Sequence, residues 1–121
     1  MAKTQSVTIY GIPNCDTMKK ARSWLEAQGI EAVFHDYKKS GIDKARLERW
    51  CKEAGWETVL NRAGTTFRKL PDAEKQGLDQ KQAIALMLAQ PSLIKRPVLE
   101  VGAKTLIVGF KPDVYEAAFA H

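Results

Sequence analysis

The sequence has few cysteines and histidines, and it has no long apolar run. It contains two cysteines and two histidines in 121 residues, too few for the framework of a small secreted domain. No apolar run approaches the roughly 20 residues that a membrane-spanning helix needs. The start, MAKTQSVTIY, also lacks the apolar stretch of a signal peptide. We therefore expect a cytoplasmic protein without a metal site, whose cysteines are free thiols.

Acidic residues are also in the minority. The sequence has 14 acidic and 19 basic residues, which gives a net charge of +5. This charge favours anionic partners but does not identify them. We find no recognised nucleic-acid-binding motif and no basic run interleaved with aromatics, so neither nucleic acid nor membrane is predicted as a partner. The length and a hydrophobic content of 45% suit one domain over residues 1–121.

The first cysteine, Cys15, stands where a strand pattern changes into a helix pattern. Val7 to Tyr10 is an apolar, β-branched run, and the Gly/Pro/Asn loop after it cannot continue a strand. Apolar residues then recur at the spacing of one helix face, at Met18, Ala21 and Leu25. The pattern predicts that Cys15 lies at the start of a helix.

A helix start favours a thiolate over a thiol. Its unpaired N–H groups and the positive end of the peptide dipole both stabilise negative charge. Lys19 and Lys20 add positive charge one turn further on, whereas Asp16 opposes it. We interpret Cys15 as a catalytic nucleophile; the alternative is a small apolar side chain that fills space. Because Met18 occupies the position three residues on, there is no C-x-x-C pair.

A second strand is predicted at residues 31–37, after a helix stop at Gln28 and Gly29. Ala32 and Phe34 share one face of it by alternation, and His35 on the other face is interpreted as structural. Strand, helix and strand form a βαβ unit, in which the two strands are parallel neighbours. The Cys15 loop then lies at the carboxyl end of the first strand, where such sheets bind ligands.

The middle of the chain is predicted to be helical. Asp43 caps a helix that ends near Gly55, and its buried face carries Cys51 beside Trp50. Cys51 is interpreted as core; a role as resolving thiol for Cys15 is the rejected alternative. A later helix from Asp79 to Gln90 is predicted to bury one stripe, formed by Ile84, Met87 and Leu88.

Between these helices, residues 56–70 gather hydrogen-bond donors around a glycine. The donors are Asn61, Arg62, Thr65, Thr66, Arg68 and Lys69. Such a cluster could hold a carboxylate or an oxyanion. A plain polar loop is the other interpretation, and both stay open at this point.

The last third predicts a β-hairpin and a closing helix. Val98 to Val101 and Leu106 to Val108 are the strands, on either side of a Gly-Ala-Lys turn. Arg96-Pro97 precedes the first strand; a cis bond there would present backbone groups to a substrate and let Arg96 reach the thiolate, and an ordinary trans proline is the alternative. The closing helix begins at Pro112, and the residues expected to face the sheet are Val114, Ala117 and Ala118 or Phe119.

The predicted element order is therefore β, α, β, a helical block, β, β, α. It gives an α/β protein with a four-stranded mixed sheet and a helical insertion at about residues 40–92. This is the thioredoxin topology with an inserted helical subdomain.

Four segments together resemble the arsenate reductase and Spx-like (ArsC) family of thioredoxin-fold proteins over almost the whole chain. They are YGIPNCDTMKKA, NRAGTTFRKL, LIKRPVL and the closing VGF. Within that family the chain is most similar to the small YffB-type proteins, which are regarded as glutathione-dependent thiol reductases. The resemblance implies that Cys15 is the nucleophile, that Pro97 is a cis-proline, and that Arg96 binds an oxyanion and stabilises the thiolate.

The chain also departs from the family pattern. Spx-like members have an arginine where this chain has Ala63, with Arg62 one place earlier. Arsenate reductases have a late arginine where this chain has Gly109, Phe110 and Lys111. Spx regulators commonly carry a C-x-x-C switch, which Met18 removes.

The resulting hypothesis is a glutathione-dependent thiol-disulfide reductase with one nucleophilic cysteine. Glutathione is the expected co-substrate, no cofactor is tightly bound, and the partner is a disulfide or mixed disulfide. The alternatives are an arsenate reductase and a non-enzymatic Spx-like regulator that binds a protein partner. Cys15 and Arg96 are the predicted catalytic residues, and substrate binding is assigned to Asn14, Thr17, Arg62, Arg68 and Pro97.

Overall fold

The computed structural model describes residues 6–13, 15–102 and 105–119. They divide into two compact units, one formed by residues up to 37 together with those from 96 onward, and one formed by residues 38–95. The assignment of the whole chain to a single domain stays a prediction.

The first unit contains the sheet. Its strands are β1 (Val7–Gly11), β2 (Val33–Asp36), β3 (Val98–Val101) and β4 (Thr105–Val108). They lie in the order β2-β1-β3-β4, with β1 parallel to β2 and antiparallel to β3, and β3 antiparallel to β4. Two helices belong to this unit, α1 (Asp16–Ala27) and α8 (Pro112–Phe119).

Helices α1 and α8 cover one face of the sheet because each places apolar side chains on it. The buried cluster consists of strand residues Val7, Ile9, Leu99 and Val101 and helix residues Met18, Ala21, Leu25 and Tyr115. Ala32 and Phe34 pack against this cluster, as the alternation predicted. The cluster fixes the start of α1 against the end of β1.

The regular elements of the second unit are all helices. Its helices are α2 (Tyr37–Ser40, whose first residue belongs to the first unit), α3 (Lys44–Ala54), α4 (Trp56–Val59), α5 (Thr65–Arg68), α6 (Asp72–Lys75), α7 (Gln80–Ala89) and a 3-10 turn at Pro91–Leu93. Helix α3 contacts both α4 and α7. An isolated antiparallel bridge between Leu60 and Ile94 joins the end of α4 to the end of the unit. Its hydrogen bonds run from the backbone N–H of Asn61 to the Leu93 carbonyl and from that of Lys95 to the Val59 carbonyl, each 2.8 Å long.

The caps read from the sequence are confirmed. The Asp43 carboxylate accepts a hydrogen bond of 3.2 Å from the backbone N–H of Arg46, and the Asp79 carboxylate accepts one of 2.9 Å from that of Gln82. These acceptors satisfy N–H groups that have no partner within the helix.

Three predictions about helix faces and strand ends are wrong. Leu88 is 36% exposed, because α7 buries the face that carries Ala83, Ile84 and Met87. Val114 is 42% exposed and Ala117 is exposed, because the face of α8 that meets the sheet is centred on Tyr115 and continues one turn later at Phe119. The second strand runs from Val33 to Asp36 and not over residues 31–37, since Tyr37 already begins a helix.

Residues 56–70 are also more regular than a plain polar loop. They contain α4 and α5, each a single turn. Helix α5 begins after Gly64, whose carbonyl accepts a 3.1 Å hydrogen bond from the backbone N–H of Arg68.

The predicted fold class is confirmed. The chain has an α/β, thioredoxin-like fold with a four-stranded mixed sheet, and a helical segment lies between β2 and β3. Within the part of the chain that the structure describes, no helix is both long enough and apolar enough to cross a bilayer.

Candidate functional site

Cys15 is held between the end of β1 and the start of α1. It is the N-cap of α1, with an extended backbone (φ −115°, ψ 131°), and it is partly exposed. Met18, in the first turn, is fully buried beneath Gly11. A Cβ at Gly11 would collide with the Met18 sulfur, so glycine at the end of β1 leaves the space that the buried Met18 side chain occupies.

The pKa of Cys15 is lowered by its surroundings. Burial acts in the opposite direction and would raise the pKa of the thiol, but hydrogen bonding from the backbone N–H groups of Met18 and Thr17 stabilises the thiolate. These N–H groups stabilise negative charge even though the sulfur does not form a regular side-chain cap. The helix start therefore contributes in the way the strand-to-helix pattern predicted.

Arg96 stabilises the same thiolate from another element. Its guanidinium donates a hydrogen bond to the Cys15 sulfur, and its positive charge lowers the pKa further. Burial would lower the pKa of Arg96, yet its interactions with Cys15 and Tyr37 keep it above its usual value. By contrast Lys19 and Lys20, which the sequence suggested as additional positive charges, are exposed, where water and salt screen them.

The segment that carries Arg96 precedes β3. The Arg96–Pro97 peptide bond is cis, as the resemblance implied. Pro97 is buried, and its carbonyl accepts a 2.8 Å hydrogen bond from the backbone N–H of Gly109, just after β4. This hydrogen bond ties the segment that carries Arg96 to the end of β4.

Tyr37 is a third member of the site, and the sequence analysis did not identify it. It follows β2, whose last residue, Asp36, pairs with Gly11 in the parallel ladder. Its hydroxyl oxygen accepts a hydrogen bond from Arg96, and its side chain is fully buried. Burial raises the pKa of Tyr37, so the hydroxyl stays neutral throughout the physiological range.

One signal in the sequence pointed toward Tyr37. In a parallel pair of strands the carboxyl ends lie at the same edge of the sheet. Residues immediately after β1 and after β2 are therefore neighbours, and Tyr37 comes directly after β2. The contact with Arg96 could not be inferred, because it joins residues far apart in the chain.

The predicted substrate-binding residues fall in different places. Asn14 lies outside the described residues. Thr17 is in the first turn of α1, where its backbone N–H faces the Cys15 sulfur. Arg62 and Arg68 belong to the second unit, and their role in substrate binding stays a prediction.

Local contacts already engage the donors of residues 56–70. The Arg62 guanidinium lies over the Trp56 ring, 5.6 Å from its centroid, and Arg68 Nη2 donates a 2.8 Å hydrogen bond to the Ala63 carbonyl. The Asn61 side-chain oxygen accepts from the backbone N–H of Ala63 at 3.3 Å. This part of the chain thus uses several of its polar groups to hold its own shape.

Cys51 has the opposite character from Cys15. It lies on the buried face of α3 and is 3% exposed. Burial raises its pKa to about 11, so it is overwhelmingly protonated at neutral pH. Within residues 6–13, 15–102 and 105–119, no group of three or more His, Cys, Asp or Glu side chains is arranged to hold a metal ion.

Known structures are similar to this chain over nearly its whole length. One is the YFFB protein, 63% identical, with a TM-score of 0.92 over 95% of this chain and 100% of the other. Another is an arsenate reductase (ArsC) related protein from Brucella melitensis, 59% identical, with a TM-score of 0.77 and full coverage of both chains.

Sequence relatives agree with these structures. An uncharacterized protein of Haemophilus influenzae is 42% identical over 94% of this chain and 99% of its own length. The global transcriptional regulator Spx of Streptococcus pneumoniae is 26% identical over 92% of this chain and 84% of its own length. A model of the ArsC family matches residues 10–118. With nearly the whole chain covered, the protein belongs to the ArsC family.

Proposed function

We propose that this protein is a thiol-disulfide oxidoreductase in which Cys15 is the single nucleophile and glutathione is the co-substrate. The observation that carries the proposal is the environment of Cys15: a partly exposed thiol whose pKa is lowered by the start of α1 and by Arg96. The thiolate is the reactive form in disulfide exchange. Membership of the ArsC family supports the same chemistry.

The proposed reaction has two exchange steps. The Cys15 thiolate attacks the glutathione sulfur of a mixed disulfide; a Cys15–glutathione disulfide forms, and the substrate thiolate leaves and takes a proton from water. The thiolate of a second glutathione then attacks the glutathione sulfur bound to Cys15. Oxidised glutathione leaves and the Cys15 thiolate is restored. Over the cycle the mixed disulfide is broken and the disulfide of oxidised glutathione is formed. The substrate is thus reduced to a thiol, and glutathione is oxidised.

The second glutathione is required because no neighbouring cysteine can resolve the intermediate. Position 18, where a C-x-x-C motif would place the second thiol, is a buried methionine. Cys51 is a poor alternative, because a buried thiol with a pKa of about 11 supplies almost no thiolate at neutral pH.

Arg96 has two roles in this proposal. It stabilises the Cys15 thiolate, and in the complex with substrate its positive charge would attract an anionic group. Glutathione carries two carboxylates, and the net charge of +5 favours binding of such an anion. We assign the remaining contacts to Asn14, Thr17, Pro97 and the two arginines of the second unit, Arg62 and Arg68.

The test measures oxidised glutathione formed from glutathione and a glutathione mixed disulfide. Cys15→Ser should abolish turnover, and Cys51→Ser should retain most of it, which makes Cys51→Ser the matched control. The intact mass of the wild-type protein after exposure to oxidised glutathione should increase by one glutathionyl group, and peptide mapping should place it on Cys15. Turnover by the Cys15→Ser variant would remove the proposal.

Arsenate reduction is a second candidate, supported by the similarity to an arsenate reductase related protein. In that reaction Cys15 would attack arsenic, and arginines would bind the oxyanion. The chain has Gly109, Phe110 and Lys111 where arsenate reductases have a late arginine, which weakens this reading. Rapid arsenate reduction with glutathione and glutaredoxin supplied would favour it over disulfide exchange.

A non-enzymatic regulator is the third candidate, supported by the Spx relative. A regulator of that kind would bind a protein partner through its surface and would need no thiol chemistry. A stoichiometric partner recovered equally by the wild type and by Cys15→Ser would favour this function.

A further inference from the structure

The guanidinium of Arg96 has two hydrogen-bond partners. They are the Cys15 sulfur and the Tyr37 hydroxyl. Arginine is a long side chain that loses rotamer freedom when it is fixed in one place. A second hydrogen-bond partner that is itself buried, Tyr37, reduces the number of positions that the guanidinium can take.

The neutrality of Tyr37 matters as much as its position. An acidic side chain in the same place would pair with Arg96 and compete with the thiolate for its positive charge. The phenol stays protonated because burial raises the pKa of Tyr37. It therefore orients Arg96 without neutralising it, and the full charge remains directed at Cys15. The negative charge of Asp36, the last residue of β2, also raises the pKa of Tyr37.

We infer that Tyr37 is a positioning residue of the redox site, which accepts a hydrogen bond from Arg96 and holds the guanidinium against the Cys15 sulfur. Tyr37 is fully buried, so it acts on the thiol through Arg96 and not through the substrate. The inference rests on the proposed function only in taking Cys15 as the reactive thiol, and it holds whether or not glutathione is the co-substrate.

The chain offers a matched control for removing the hydroxyl. Tyr115 is also 0% exposed, and burial raises its pKa as well. Its hydroxyl, however, has no hydrogen-bond partner among the residues that the structure describes. Tyr37→Phe and Tyr115→Phe therefore remove the same atom from two buried rings, and only the first removal breaks a bond to Arg96.

The experiment follows the rate of iodoacetamide labelling of Cys15 against pH, in a Cys51→Ser background that leaves one thiol. Tyr37→Phe should shift the profile to higher pH and slow labelling at pH 6 by roughly 2- to 10-fold, the range for one hydrogen bond. Tyr115→Phe should leave the profile unchanged. Circular dichroism and thermal unfolding of both variants show that each is folded. An unshifted profile in a folded Tyr37→Phe protein would overturn the inference.

A double-mutant cycle then tests whether Tyr37 acts through Arg96. In an Arg96→Ala background, adding Tyr37→Phe should change the labelling profile no further. Equal shifts in the presence and absence of Arg96 would mean that Tyr37 affects the thiol by another route, and the positioning role would be wrong. Because this readout uses no glutathione, failure of the disulfide-exchange assay alone would count against the proposed function and not against the role of Tyr37.

Discussion

Cys15 and Cys51 are chemically identical side chains, and both are associated with a helix. Cys15 is the N-cap of α1, where backbone N–H groups point toward the sulfur. Cys51 lies in the last turn but one of α3, where its own N–H and carbonyl belong to the helix and the thiol faces an apolar core. The pKa moves below its ordinary value at Cys15 and rises to about 11 at Cys51.

The difference shows that burial alone does not decide the pKa of a cysteine in this protein. Burial raises the pKa at both positions. At Cys15 it is outweighed by donors that the fold brings to the sulfur from two places, the first turn of α1 and the segment before β3. At Cys51 burial is the cause of the shift. Cys15 differs from Cys51 because backbone N–H groups and the Arg96 guanidinium lie next to its sulfur.

The largest expected effect is the difference in labelling rate between the two thiols. At pH 7 a thiol with a pKa of about 11 is ionised in about one molecule in ten thousand. Cys15 should therefore react with iodoacetamide more than about 100-fold faster than Cys51 in the native protein, measured by mass spectrometry of the two peptides. In concentrated guanidinium chloride the two rates should converge. Equal native rates would show that the surroundings of the two thiols do not differ as described.

The fold was largely predictable because its elements have clear apolar periodicities. The strand before Cys15, the stripe of α1 and the caps at Asp43 and Asp79 all follow from local pattern. The misassigned faces, at Leu88 and Val114, are apolar residues near the edge of a helix stripe. The pattern shows that a stripe exists, but the neighbouring elements decide how wide a face is buried.

The site was predictable to the extent that it is local. Cys15 could be identified because strand, loop and helix are contiguous, and Arg96 because it precedes a proline at a strand entrance. Tyr37 could not be identified, since its hydrogen bond to Arg96 depends on the register between β1 and β2 and on the path of the chain into β3. From the sequence, an aromatic residue at the end of a strand is equally consistent with a purely structural position in the core.

The second prediction removes a positive partner from Cys15. Arg96→Ala should raise the Cys15 pKa, because it removes both a hydrogen bond and a nearby positive charge. Labelling at pH 6 should slow by about tenfold or more, the effect of an opposite charge at close range. Lys19→Ala, which removes an exposed charge from α1, should have a much smaller effect because of screening. If Lys19→Ala shifted the profile and Arg96→Ala did not, Arg96 would serve substrate binding alone.

The third prediction disturbs the helix start itself. Gly11→Ala places a methyl group into the Met18 side chain, and such overpacking costs about 1–3 kcal/mol of stability. Because the Met18 N–H stabilises the thiolate, a displaced first turn should also raise the Cys15 pKa. Both effects can be measured, by urea unfolding and by the labelling profile.

Gly29→Ala is the control for Gly11→Ala. Gly29 has a φ of 72° with open space around it, so alanine there destabilises through backbone conformation, away from the start of α1. It should lower stability and leave the labelling profile in place. A shifted profile in Gly29→Ala would mean that any loss of stability alters Cys15, and Gly11 would have no particular role.

The two thiols should also differ in how they change stability with pH. Cys15 has a lower pKa in the folded protein than in the unfolded chain, so its stabilising contribution is complete above the unfolded pKa and is lost as the pH falls through the folded pKa. Cys51 has a higher pKa when folded. It therefore makes stability fall as the pH rises from about 9, the ordinary value, toward 11, by about 2–3 kcal/mol over the whole window.

Urea unfolding of the wild type, Cys15→Ser and Cys51→Ser between pH 6 and pH 10 separates these contributions. Stability of the wild type relative to Cys15→Ser should increase with pH up to about 9. Stability of the wild type relative to Cys51→Ser should be constant up to that pH and then decrease, because only the unfolded chain ionises its thiol there. The two difference curves thus have slopes of opposite sign in different pH ranges. Slopes of the same sign would mean that folding shifts the pKa values of Cys15 and Cys51 in the same direction. The contrast that supports Cys15 as the nucleophile would then be lost.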